Sequence, residues 1–106
     1  MGEELITTSF EKSTIRRVWD EETEQWVFAV VDVVEALTES ARPSKYWSDL
    51  KKRVKKQSDV ELSAFCGKFP MKHKTINRTY QTECANVEGI FRIIQSIPSP
   101  KAEPFK

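Results

Sequence analysis

The apolar positions of this chain change period several times, and each change marks an element. Ile15-Arg16-Arg17-Val18-Trp19 alternates loosely between apolar and basic residues, as a half-buried strand does. After a polar, acidic interruption at residues 20–25, Trp26-Val27-Phe28-Ala29-Val30 is rich in β-branched and aromatic residues. Two such runs around a short acidic turn predict a hairpin, and alternation predicts that only one of Arg16 and Arg17 faces water. Asp32 then offers a helix cap, with Val33, Val34 and Leu37 following at helical spacing, so residues 32–39 read as a short helix.

Ser40-Ala41-Arg42-Pro43 breaks that helix, and Pro43 suits the start of the next. In residues 44–56, Trp47, Leu50 and Val54 fall at i, i+3 and i+7 on one face. Lys45, Lys52 and Lys56 lie roughly on another face, flanked by Lys51 and Lys55. Residues 57–67 have weak periodicity and read as a loop with some extended structure. Residues 68–73 and 78–84 pair as a second hairpin with Thr75-Ile76-Asn77 near its tip, and Pro70 places the first of these strands at an edge. Asn86 caps a helix in which Val87, Ile90, Phe91 and Ile94 recur at helical spacing, and Ile97-Pro98 ends it. Ser99 and Pro100 open a last helix that is cut off at Lys106, which predicts an excised domain whose parent continues. The expected fold is α+β, one domain over residues 1–106. Two β-hairpins pack with three short helices, the final helix is truncated at the C-terminus, and residues 1–9 are flexible.

Charge changes this picture. The chain has 17 basic and 16 acidic residues, a formal net charge of +1, yet residues 42–56 carry seven basic residues against one acid. A near-neutral protein that gathers its positive charge on one helix suits a polyanionic partner. Lys45, Lys51, Lys52, Lys55 and Lys56 are the candidate phosphate contacts, and Arg42 or Arg53 the candidates to reach a base edge. The competing reading is a solvated helix face whose lysines serve only solubility. Tyr46 is the better candidate for an exposed ring, because Trp47 shares the spacing of the core residues. In the second hairpin, Lys72, Lys74 and Arg78 could clamp the backbone, or could simply discourage edge-to-edge aggregation. Two helices around a short turn, the second basic, also form a superficial helix-turn-helix pattern, though the usual turn glycine is absent.

Other classes find little support. There is no apolar run of membrane-spanning length, and the first ten residues lack a secretory pattern. Cys66 and Cys84 are too few to staple a small secreted domain and read as reduced thiols in the cytoplasm. The Asn77-Arg78-Thr79 acceptor triplet then has no glycosylation context. His73 is the only histidine and sits among cations, and with the two cysteines it lacks the paired spacing of zinc sites. No phosphate-cradling glycine loop occurs. A non-enzyme without metal or other cofactor is expected.

Several stretches resemble one family: residues 15–19, 26–38, 43–54 and 86–106. Among them Tyr46-Trp47-x-x-Leu50-Lys51 and Ile97-Pro98-Ser99-Pro100-Lys101-Ala102-Glu103-Pro104-Phe105 are the specific runs. They look like the N-terminal domain of BRO proteins and prophage antirepressors, the Bro-N domain, from about Phe10 onward. The resemblance implies a small α+β DNA-binding module of phage, prophage-derived and large DNA virus proteins, usually followed by a variable C-terminal domain. It supplies no catalytic residues. Duplex DNA is the expected partner. An interaction module that sequesters a repressor protein is the rival, and a binder of RNA or single strands a third reading. A homodimer is left open.

Overall fold

A computed structural model of the chain describes residues 15–105. The N-terminal segment expected to be flexible lies outside the described residues. Strands β1 (Arg17–Asp20) and β2 (Gln25–Ala29) form the first hairpin. Helices α1 (Val30–Thr38) and α2 (Pro43–Ser58) follow. A 3₁₀ turn at Leu62–Phe65 leads into β3 (Gly67–Lys72) and β4 (Thr79–Ala85), then α3 (Val87–Gln95) and a final 3₁₀ stretch, Pro100–Phe105. The fold is α+β, as expected.

The two hairpins merge into a single antiparallel sheet of order β1-β2-β4-β3. The seam is short, Phe28 opposite Ala85 and Ala29 opposite Cys84, and no local pattern announces it. Because side chains alternate across a strand, the sheet separates two apolar clusters. Phe28 and Ala85 join Val33, Val34, Leu37, Trp47, Leu50, Ile90, Ile93, Ile94 and Ile97 in the main core under the helices. Val27, Ala29, Met71 and Cys84 form a smaller cluster with Val18 and Phe69. β3 pairs only with β4, so Pro70 does mark an edge.

Two local expectations are corrected. Asp32 does not cap α1. Ala29 passes directly from strand to helix, so the helix starts earlier and no side chain caps it. Asp32 instead lies buried, 4% exposed, where it accepts from Arg16: backbone N–H at 2.9 Å, Nε at 2.8 Å and Nη2 at 3.1 Å. A carboxylate so placed needs its cation, which is why Arg16 turns inward while Arg17 stays exposed. The loop at 57–67 contains a 3₁₀ turn, since buried Leu62 pins it to the core. Asn86 does cap α3, accepting from the Gly89 N–H at 2.8 Å.

Candidate nucleic-acid interface

Helix α2 is held to the body along one side. Pro43 occupies its first turn, Trp47 and Leu50 are buried, and Val54 is half-buried against the same core. Turning 100° per residue, the helix points Lys45, Lys52 and Lys56 away from that stripe, with Arg53 beside them. Its sixteen residues make a ridge of roughly 24 Å at 1.5 Å per residue.

The seven basic residues of 42–56 fall into two groups. Three have carboxylate partners. Lys51 Nζ donates to Glu83 Oε1 at 2.8 Å, and Trp47 Nε1 donates to the same oxygen at 3.1 Å. Lys51 also lies 5.1 Å from the centre of the Trp47 ring, so this cluster fastens α2 to β4. Burial pushes Glu83 up, but the hydrogen bonds from Lys51 and Trp47 and the charges of Lys51 and Lys68 outweigh it, leaving the carboxyl below its ordinary value. Lys55 meets Asp59 at 2.6 Å and Glu61 at 3.3 Å, and those hydrogen bonds, Asp59 first, hold its ammonium above the ordinary value. Lys45 meets Asp49 at 2.9 Å across one turn, both well exposed. The other four, Arg42, Lys52, Arg53 and Lys56, are exposed and have no carboxylate partner among the described residues.

The second hairpin also departs from expectation. Lys74 is not a free clamp: its ammonium lies 3.3 Å from both Asp32 and Glu35 and ties the hairpin tip to α1. Lys72 and Arg78 remain exposed, and their backbone groups are the ones engaged: the Lys72 carbonyl accepts from Arg16 Nη1 at 3.2 Å, and Arg78 accepts from the His73 N–H at 2.8 Å and donates its own N–H to the Ile76 carbonyl at 2.9 Å. Tyr46 is half-buried and packs against the main core rather than presenting a free ring. Between α2 and this hairpin lies an open cleft of about 660 Å³. Of its lining cations, Arg16, Lys51 and Lys74 face carboxylates, while Lys68 has no ion-pair partner among the described residues.

Sequence reading missed Asp32 as a buried counter-ion, Glu83 as the partner of α2, and a pile of exposed Arg17 and Trp19 on half-buried Trp26. The pile has Arg17 4.2 Å over the Trp26 ring, with the two indoles edge to face at 5.4 Å. The alternation Arg16-Arg17 carried a signal for the first; the pile arises from pairing across strands, and Glu83 from the packing of α2 on β4. Burial raises the Cys66 thiol to about 11 and the Cys84 thiol to about 12, and both cysteines are free. Among the described residues no helix is long and apolar enough to cross a membrane, and no group of three His, Cys, Asp or Glu could hold a metal.

A small α+β module whose second helix turns unpaired cations to solvent has the character of a polyanion-binding domain. The comparison with known families agrees: the chain matches the BRO family, N-terminal domain (Bro-N), over residues 14–106, and it belongs to that family. Bro-N is a family of DNA-binding, non-enzymatic regulatory domains. Searches of curated proteins and of solved structures return no match.

Proposed function

We propose that this chain is the DNA-binding domain of a phage- or prophage-type regulator of the antirepressor kind, acting in the cytoplasm on duplex DNA. The observation that supports the reading is the ridge of four exposed cations, Arg42, Lys52, Arg53 and Lys56, without ion-pair partners among the described residues, on the solvent side of a docked helix. Phosphates would be met by Lys52 and Lys56, with Lys45 joining at the cost of its exposed Asp49 pair. Such pairs are worth only about 0–1 kcal/mol, so a phosphate can displace the carboxylate. Arg42 and Arg53 carry the planar fork that suits guanine edges. Lys72 and Arg78 are auxiliary contacts, whereas Lys51 and Lys74 chiefly fasten the fold and Lys55 is held by two carboxylates, Asp59 and Glu61. The domain performs no chemistry of its own.

The test is a titration of a labelled duplex at two salt concentrations, with a scrambled duplex as competitor. Affinity that falls steeply with salt supports the reading. Absence of any DNA binding at 50 mM salt would overturn it and favour a repressor protein as the partner.

A further inference from the structure

The two edges of the sheet differ. β3 has Pro70 in its middle and Lys68 and Lys72 along it, features that discourage another strand from adding on. β1 has no proline, glycine or lysine; it reads Arg17-Val18-Trp19-Asp20, and Trp19 is 45% exposed. The Ala29 N–H donates to the Arg16 carbonyl at 3.0 Å, which makes Arg16 and Ala29 a hydrogen-bonded pair. In an antiparallel ladder such pairs alternate, so Val18 and Asp20 turn their backbone groups toward β2. The N–H and C=O groups of Arg17 and Trp19 therefore point outward, off the edge.

From this edge we infer that the domain self-associates, β1 pairing antiparallel with β1 of a second copy about a two-fold axis at Val18. The strand complements itself in that register. Arg17 of each copy lies opposite Trp19 of the other, on the same face of the sheet, and the two outward-facing residues exchange their backbone hydrogen bonds. Each guanidinium, already over its own Trp26, gains a second indole. Val18 meets Val18 on the opposite face, extending the small cluster of Val27, Ala29, Met71 and Cys84 across the axis. The acidic turn of each copy, with Asp20, Glu21, Glu22 and Glu24, lies beside Arg16 and Arg17 of the other. Antiparallel pairing keeps the two turns at opposite ends, so they do not repel. The interface is isologous and closed, and it leaves α2 of both copies outside. It stands independently of the DNA-binding reading, because β1 and the α2 ridge share no residue.

Sedimentation of the 106-residue chain from micromolar to millimolar concentration should show a reversible monomer–dimer equilibrium. Trp19→Lys places a charge on the edge and removes both Arg–Trp contacts, which the two-fold axis relates to each other. Its dimer dissociation constant should rise about thirtyfold, with an unchanged far-ultraviolet spectrum. Val18→Cys reads the register. Residues facing each other in a non-hydrogen-bonded pair have Cα atoms about 4.5 Å apart, within disulfide reach. Mild oxidation should then link two copies through position 18, identified by mass spectrometry. Asp20→Cys should not link, since its two copies would be roughly 13 Å apart along the strands. A wild-type chain that stays monomeric to millimolar concentration overturns the inference. So does a dimer that survives Trp19→Lys undiminished, or one that Val18→Cys fails to cross-link.

Discussion

Replacing two lysines of α2 should have opposite consequences depending on which two are chosen. Lys52 and Lys56 are exposed and unpaired among the described residues, whereas Lys51 and Lys55 are bound to Glu83 and to Asp59 and Glu61. Each phosphate contact contributes about 0.9 to the slope of log affinity against log salt on duplex DNA. The five proposed phosphate contacts, Lys45, Lys52, Lys56, Lys72 and Arg78, predict a wild-type slope of about −4.5, and adding the bound Lys51 and Lys55 would give about −6.3. Lys52→Ala/Lys56→Ala should flatten the slope by about 1.8, which at 0.1 M monovalent salt amounts to about a 60-fold loss of affinity. It should leave the melting temperature nearly unchanged. Lys51→Ala/Lys55→Ala removes no free cation, so its slope should stay close to wild type while stability drops. The assay is fluorescence anisotropy of a labelled duplex between 50 and 200 mM salt, beside thermal unfolding of each variant. Equal loss of binding in the two variants, or a wild-type slope near −6, would refute the division of the helix into fastening and binding sides.

Three further outcomes follow from the same contacts. Asp59→Asn with Glu61→Gln frees Lys55, and asparagine tolerates the left-handed backbone that Asp59 holds at φ 58°, so DNA binding should tighten and its slope steepen by about 0.9. Asp32→Ala leaves Arg16 without its partner and should cost about 3 kcal/mol, the lower end for a broken buried pair because Arg16 is partly exposed; urea unfolding measures this. Glu83 lies below its ordinary value of 4.5 in the folded state, so the unfolded chain binds more protons there and its contribution is present above pH 4.5 and lost as pH falls below it; Lys51→Met should flatten that acid limb of unfolding free energy against pH.

Elements with a strong local signal were legible in the sequence. The i, i+3, i+7 spacing of Trp47, Leu50 and Val54 gave α2 and its buried stripe, and Asn86 announced α3 through a hydrogen bond three residues away. Pro70 identified an edge because a missing N–H excludes an interior strand. What stayed hidden depends on distance along the chain. Asp32 looked like a cap because caps are local, but its partner is Arg16, sixteen residues back across the hairpin. The seam joining the hairpins rests on two residue pairs more than fifty positions apart, too short to leave a periodic trace.

The same limit governs the interface. Counting residues in 42–56 overstates the available cations, because the count sees only Asp49 and misses Asp59 and Glu61 just outside the window and Glu83 far along the chain. Folding brings those three carboxylates to Lys51 and Lys55, while among the described residues the ridge side keeps only Asp49, paired with Lys45, so most of the lost charge comes from one side of the helix. That asymmetry has a physical use. A cation beside the core meets β4 at short range and in a partly buried setting, where an ion pair locks the orientation of the helix. One on the ridge is surrounded by water, and the carboxylate that stands there, Asp49, holds Lys45 in an exposed pair that phosphate can displace. The oligocation that a duplex meets is therefore shorter than the sequence suggests but more rigidly aimed, because Lys51, Trp47 and Glu83 fix the angle at which Lys52 and Lys56 stand away from the sheet. A variant that keeps every ridge cation but breaks this tie without freeing Lys51, Lys51→Met with Glu83→Gln, should weaken DNA binding without changing the salt slope. The number of contacts stays constant while their pre-arrangement is lost.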